Sequence, residues 1–260
     1  MSPLADAVLT FCRHHLARDA RRPLIVGVQG PQGAGKTTVT RALIDALPAA
    51  GLTGTTVSVD DFYMTRAGQL AMADAHPGHP LLEHRGYPGT HDISLGDSTL
   101  AALRAGAGPV AVPVYDKSAH GGRGDRLPET AWRVVAPPLD LVLVEGWMLG
   151  FEPVDEATLE SPWLVAPNRA LAAYAAWHRW IDVWVVLRAR DPEYVLTWRV
   201  EAEEKMKASG KPGLSRADIE DYIRRFLPAY RTWGGAPRAT PDDRCLEFTI
   251  NLDRSVNRSR

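Results

Sequence analysis

At 260 residues, with 45% hydrophobic and 23% charged side chains, the chain can bury the core of one α/β enzyme domain, which excludes disorder and collagen-like repetition. Thirty basic against 31 acidic side chains leave a formal net charge of −1, so no global field gathers nucleic acid or an anionic membrane, and any bound anion has to be gripped locally. The two cysteines, Cys12 and Cys245, show no CxxC or Cys/His spacing, which argues against a disulfide framework or a structural zinc site and fits a reducing cytoplasm.

Residues 1–20 carry Leu4, Val8, Phe11 and Leu16 at helical spacing and read as an amphipathic helix packed on the domain. With Asp6, Arg13 and Arg18 among them, they lack the apolar stretch of a secretory signal. The apolar runs farther along are strand-sized, well short of the ~20 residues a bilayer span needs. The first is Leu24 to Val28, suited to a strand buried on both faces of a parallel sheet. Comparable runs are Thr55 to Val59, Leu139 to Val144, Ile181 to Leu187 and Leu246 to Ile250. Helical patterns at Thr37 to Leu47 and Leu171 to Trp180 lie between them, which predicts a doubly wound parallel sheet of about five strands with helices on both faces.

Gly30-Pro31-Gln32-Gly33-Ala34-Gly35-Lys36-Thr37 fits G-x-x-x-x-G-K-[ST], between a buried strand and a helix as that pattern requires. Glycines let successive N–H groups point at a phosphate, and the helix N-terminus adds favourable partial charge. Gly30, Gln32, Gly33, Ala34, Gly35, Lys36, Thr37 and Thr38 are therefore the candidate ATP cradle, with Lys36 reaching the terminal phosphates and Thr37 a Mg²⁺ ion. Only five of the 30 basic residues are lysines, so Lys36 and Lys117 stand out. Lys205, Lys207 and Lys211 do not, since Glu201/Lys205 and Glu203/Lys207 read as i,i+4 pairs on a solvated helix face.

Phosphoryl transfer to an alcohol needs a carboxylate on the metal side and a base in line with the γ-phosphate. Two strand ends supply acids. Glu145 ends Leu141 to Val144 as a Walker B residue should, and Asp60 follows Thr55 to Val59, making it the candidate base. Adjacent Asp61 points another way, and either aspartate could instead cap a turn.

About eighty residues separate these two strands, too many for an ordinary connection, so residues 62–138 read as an inserted substrate-binding lobe. Lys117, Arg123 and Arg126 are candidates for gripping a carboxylate, against the reading of a solvated loop. His91 and Asp92 are candidates for substrate hydroxyls, or else stabilise a turn. Five of the eight histidines fall here, but their spacings match no tetrahedral metal set. Residues 188–215 read as a lid, with Arg199 placed for γ-phosphate charge or, alternatively, paired with Glu203. Ser215-Arg216-Ala217-Asp218 resembles a capping box opening a helix with Ile219, Tyr222, Ile223 and Phe226 on one face, ended by Pro228.

Asp60-Asp61-Phe62-Tyr63 resembles the Asp-x-Phe element of the phosphoribulokinase, uridine kinase and pantothenate kinase group, whose first aspartate serves as base. Three further segments sharpen this: Arg85 to Asp92, Tyr115 to Ala119 with Gly122 to Arg126, and Glu145 to Phe151 are together similar to the D-glycerate 3-kinase family, a likeness running from about Leu24 to Asn251. Tyr87 departs from it, standing where asparagine is expected. The resemblance implies ATP as co-substrate, Mg²⁺, and phosphorylation of the 3-hydroxyl of D-glycerate, and it adds Asp61, Tyr63 and Tyr115 to the acceptor-side candidates. The competing expectations are another acceptor (a nucleoside, pantothenate or another hydroxy acid) or a nucleotide-dependent switch, although no Asn-Lys-x-Asp run for guanine is present. Trp163, Trp177, Trp180 and Trp184 could mark a protein-binding surface, but the spacing of Trp177 and Trp180 suits a core. Neither nucleic acid nor membrane is expected as a partner, and oligomeric state is left open.

Overall fold

A computed structural model describes residues 2–19, 21–208, 216–234, 237 and 239–258. The strands are β1 (Leu24–Gln29), β2 (Gly54–Ser58), β3 (Val110–Val112), β4 (Tyr115–Asp116), β5 (Asp125–Arg126), β6 (Arg133–Val135), β7 (Leu141–Gly146), β8 (Val183–Ala189), β9 (Cys245–Ile250) and β10 (Val256–Arg258). The helices are α1 (Pro3–Arg18), α2 (Lys36–Ala46), α3 (Arg66–Ala75), α4 (Ile93–Ala105), α5 (Ala119–Gly122), α6 (Val165–Ala170), α7 (Ala175–His178), α8 (Tyr194–Ala208) and α9 (Arg216–Trp233).

The main sheet runs β10-β9-β8-β1-β7-β2. Five strands are parallel, as expected, and β10 adds an antiparallel edge that no apolar run in the sequence announces. Every residue of β1 is buried, because helices cover both faces of a parallel sheet. The register sets Glu145 of β7 level with Val28 of β1 and Ser58 of β2, so three chain segments end together at one edge of the sheet. Ser2 caps α1, accepting from Ala5 N at 3.3 Å, and the buried Ala5, Val8, Cys12 and Leu16 of α1 join the core.

Between β2 and β7 the chain forms α3, α4 and a long bent hairpin in which β3 pairs with β6 and β4 with β5. Its tip is the single turn α5, where His120 and Gly121 are left-handed. Asp92 caps α4, accepting from Leu95 N at 3.0 Å.

Several expectations are corrected. Leu171 to Trp180 is no continuous helix but a 3₁₀ turn, Leu171–Tyr174, followed by the short α7. Pro228 does not end α9; it lies inside a helix running to Trp233, where the nearby Arg225 carbonyl takes the Tyr87 hydroxyl and the chain is held by packing on both sides. The α8 face is not simply solvated, since Glu203 is buried on Arg199 and Glu201 reaches Arg254 at 2.6 Å. Ser215, the cap of the proposed capping box, and Lys211 lie outside the described residues, as do residues 209–215 of the proposed lid. Trp177 and Trp184 are buried, whereas Trp163 is exposed. Among the described residues no helix is long and apolar enough to cross a membrane.

Candidate active site

The loop from β1 to α2 curls because Gly33 (φ 80°) and Gly35 (φ 97°) occupy left-handed conformations that side chains disfavour. Gly35 sits at the cap position of α2, which directs the first N–H groups of the helix toward the loop's interior. Lys36 folds back over the loop and donates to Gly30 O at 2.7 Å and Pro31 O at 3.0 Å. Burial lowers its pKa to about 8, against the pull of the Glu145 and Asp60 carboxylates and with the push of Lys117. A partly desolvated ammonium held by two carbonyls is a fitting receptor for phosphate oxygens.

Thr37 and Glu145 meet as expected, with Thr37 Oγ1 at 3.1 and 3.3 Å from the two carboxylate oxygens. Thr40, which lies outside the phosphate-loop motif, joins them at 3.4 Å. Converging hydroxyl and carboxylate oxygens suit a hard divalent cation. Thr38 is exposed on the first turn of α2.

Asp60 follows β2 in a 3₁₀ turn, Val59–Phe62, capped by Ser58. Lys117 Nζ lies 2.5 Å from Asp60 Oδ2. Burial raises the Asp60 pKa, but the charge and hydrogen bond of Lys117, with a hydrogen bond from Tyr63, outweigh it and hold the carboxyl below its ordinary value. Asp61 does point elsewhere: its carboxylate accepts from Ser58 N at 3.3 Å and completes the capping box. That is the turn role weighed from sequence for Asp61.

Tyr63 and His91 stack with ring centroids 4.4 Å apart and share an isolated antiparallel bridge. Tyr115 closes edge-to-face on Tyr63 at 5.3 Å. The Tyr174 hydroxyl accepts from Gly89 N at 3.0 Å and shares a hydrogen bond of 2.8 Å with His91 Nδ1. Burial drives the His91 pKa down to about 4, and Nε2 is buried with no partner. His91 is thus neutral, with an unpartnered ring nitrogen.

Arg126 Nη1 pairs with Asp92 Oδ2 at 3.1 Å. Arg123 is exposed and turns to His84 Nδ1 at 3.0 Å, outside the cluster around Asp60. Arg85, unassigned from sequence, pins the hairpin tip by donating to the carbonyls of Gly122 (2.9 Å), Arg123 and Lys117 (3.3 Å) while covering the Tyr115 ring. Tyr87 is buried in an aromatic cluster, stacked on Phe226 at 5.5 Å and near Trp147 at 6.0 Å, so this departure from the expected asparagine anchors α9. Arg199 pairs with Glu203, the alternative weighed from sequence. Its Nε is buried without a partner.

A glycine loop holding Lys36, Thr37 on a strand-end carboxylate, and Asp60 on the neighbouring strand end define a P-loop kinase. No protein-family model matches the chain. The chloroplastic D-glycerate 3-kinase of Arabidopsis thaliana is 41% identical over 90% of this chain, which spans only 54% of that protein's length. An uncharacterized kinase of Schizosaccharomyces pombe is 35% identical, with 96% of each chain covered. The solved structure of D-glycerate 3-kinase from Cryptococcus neoformans superposes with a TM-score of 0.91 at 31% identity, covering 100% of both chains. The chain belongs to the D-glycerate 3-kinase family.

Proposed function

We propose that the protein transfers the γ-phosphoryl group of ATP to the 3-hydroxyl of D-glycerate, giving 3-phosphoglycerate and ADP. The observation that carries this is the ionised Asp60 carboxylate, held by Lys117 from the hairpin and Tyr63 from its own turn, at the edge where the phosphate loop ends. Residues 62–138 serve as the acceptor lobe and 188–215 as the lid.

The loop N–H groups and Lys36 hold the phosphates. Thr37 and Glu145 would hold Mg²⁺, which neutralises charge on the β- and γ-phosphates when bound. The acceptor oxygen attacks the γ-phosphorus as its proton passes to Asp60, and the β–γ bridging oxygen leaves with the bonding electrons on ADP. Such transition states are loose, so a carboxylate of low basicity suffices as the proton's destination. Lys117 and Arg126 supply charge for the glycerate carboxylate, and the unpartnered His91 Nε2 a hydrogen-bonding group for its hydroxyls. Arg199 breaks from Glu203 to meet the γ-phosphate as the lid closes and water is excluded. A reducing cytoplasm suits Cys12 and Cys245, both buried and neither in a disulfide.

The test is ADP release with ATP and Mg²⁺ across D-glycerate, L-glycerate, glycerol, pantothenate and uridine, with the phosphorylated position read by NMR. Turnover is expected with D-glycerate, at the 3-hydroxyl. Stimulation by another acceptor alone overturns the glycerate assignment, and ATP binding without stimulation by any of them overturns the kinase reading.

A further inference from the structure

The sequence placed Tyr222 on an apolar helix face, and the reaction described above makes no use of it. Its ring does pack on Phe226, centroids 4.9 Å apart, but its oxygen is engaged too. Gln32 of the phosphate loop donates from Nε2 to the Tyr222 hydroxyl at 3.3 Å and from its backbone N to the Tyr230 hydroxyl at 3.2 Å, so α9 grips the loop at two points about two turns apart. The Arg199 guanidinium of α8 lies over the Tyr222 ring, 5.6 Å from its centroid. On the acceptor side, Tyr222 is close enough to Lys117 and Tyr63 to act on both electrostatically.

One side chain therefore touches the donor loop and the lid helix and acts electrostatically on Lys117, the partner of Asp60. Having accepted from Gln32, the phenol keeps its own proton to donate. Gln32 Oε1 is meanwhile buried with no partner, a costly arrangement that a hydroxyl-bearing acceptor can relieve by supplying the missing donor.

We propose that Tyr222 is a positioning residue coupling the two substrates: through Gln32 it ties the phosphate loop to the acceptor-side residues, and through Arg199 it ties both to the lid helix, so each ligand binds more tightly when the other is present. The coupling makes ATP cleavage wait for the acceptor. This rests on the kinase reading.

The experiment is calorimetric titration of D-glycerate with and without a non-hydrolysable ATP analogue, for the wild type and Tyr222→Phe, alongside the ratio of ADP to phosphoglycerate formed. In the wild type the analogue is expected to tighten D-glycerate binding by about fivefold or more, the scale of ordinary coupling between sites. In Tyr222→Phe the factor falls to about one, the analogue alone binds nearly as before, and ADP exceeds product. A Tyr222→Phe protein with the full factor and a ratio of one overturns the proposal, as does a wild type with no tightening. A wild type that neither binds nor phosphorylates D-glycerate removes the kinase reading and this proposal together. If circular dichroism finds Tyr222→Phe unfolded, Gln32→Met takes its place: loss of the factor with excess ADP supports the coupling, and the full factor with a ratio of one overturns it.

Discussion

Lys117, on the hairpin that links β4 and β5, places its ammonium 2.5 Å from the carboxylate of Asp60, 57 residues earlier at the end of β2. The pair joins the inserted segment to the sheet. It also keeps the carboxylate ionised against burial, which alone would favour the neutral acid.

Removing that cation moves the base. In Lys117→Met the Asp60 pKa rises, because burial then acts with less opposition. The protonated, inactive form persists to higher pH, so the acidic limb of the kcat/KM profile shifts upward. A pH–rate series on both proteins checks this, and a limb that stays in place or moves down refutes it.

Asp60→Asn keeps the shape of the side chain and removes its basicity. Turnover is expected to fall by about 10² to 10⁴, the usual worth of a general base, with the KM for ATP within about twofold of wild type. Steady-state kinetics decides, and undiminished turnover takes the base role from Asp60.

Lys36 trades stability for phosphate binding. Its pKa of about 8 lies below the ordinary 10.5, so between those values the unfolded chain binds more protons and stability rises with pH. Lys36→Met should abolish turnover, raise the Tm at pH 7 by a few degrees, and lose that rise. Melting curves from pH 7 to 10 report all but the turnover, and an unchanged pH slope would sink the argument.

Arg126→Ala should raise the KM for the hydroxy acid about tenfold and leave that for ATP unchanged, since a carboxylate loses a charged partner. Because Arg126 also pairs with Asp92, the cap of α4, a small drop in Tm accompanies it. A change confined to the ATP KM places Arg126 elsewhere.

Gly146→Ala tests how tightly β7 and the Asp60 turn are packed. A methyl group there runs into the Val59 side chain, next to Asp60. The expected cost is about 1 to 3 kcal/mol of stability with a fall in kcat, measured by denaturant titration and kinetics. Wild-type values for both would mean that the turn shifts freely.

Much of the site was legible because it depends on neighbours in sequence. Lys36 sits six residues after Gly30, and the loop's geometry follows from glycine conformations that no distant contact has to impose. Glu145 and Asp60 were legible as acids ending apolar runs. For Asp61, Arg123 and Glu203 the sequence left alternatives open, because whether a charged side chain serves a ligand, a turn or another charge depends on which segment arrives beside it. Asp61 met the Ser58 backbone, Arg123 met His84, and Glu203 was buried on Arg199.

The sequence by itself determined the order of buried strands, the phosphate loop between the first strand and its helix, and the two carboxylates at strand ends, since apolar periodicity and glycine placement are local properties. Only the tertiary structure decided that Lys117 closes on Asp60, that Tyr174 meets His91 Nδ1, and that Tyr222 and Tyr230 of α9 hold Gln32. Each of these contacts joins residues 57 to 198 positions apart, and no spacing along the chain records them. They arise where loops from separate strands are pressed together at the edge of a sheet whose packing fixes where each loop begins.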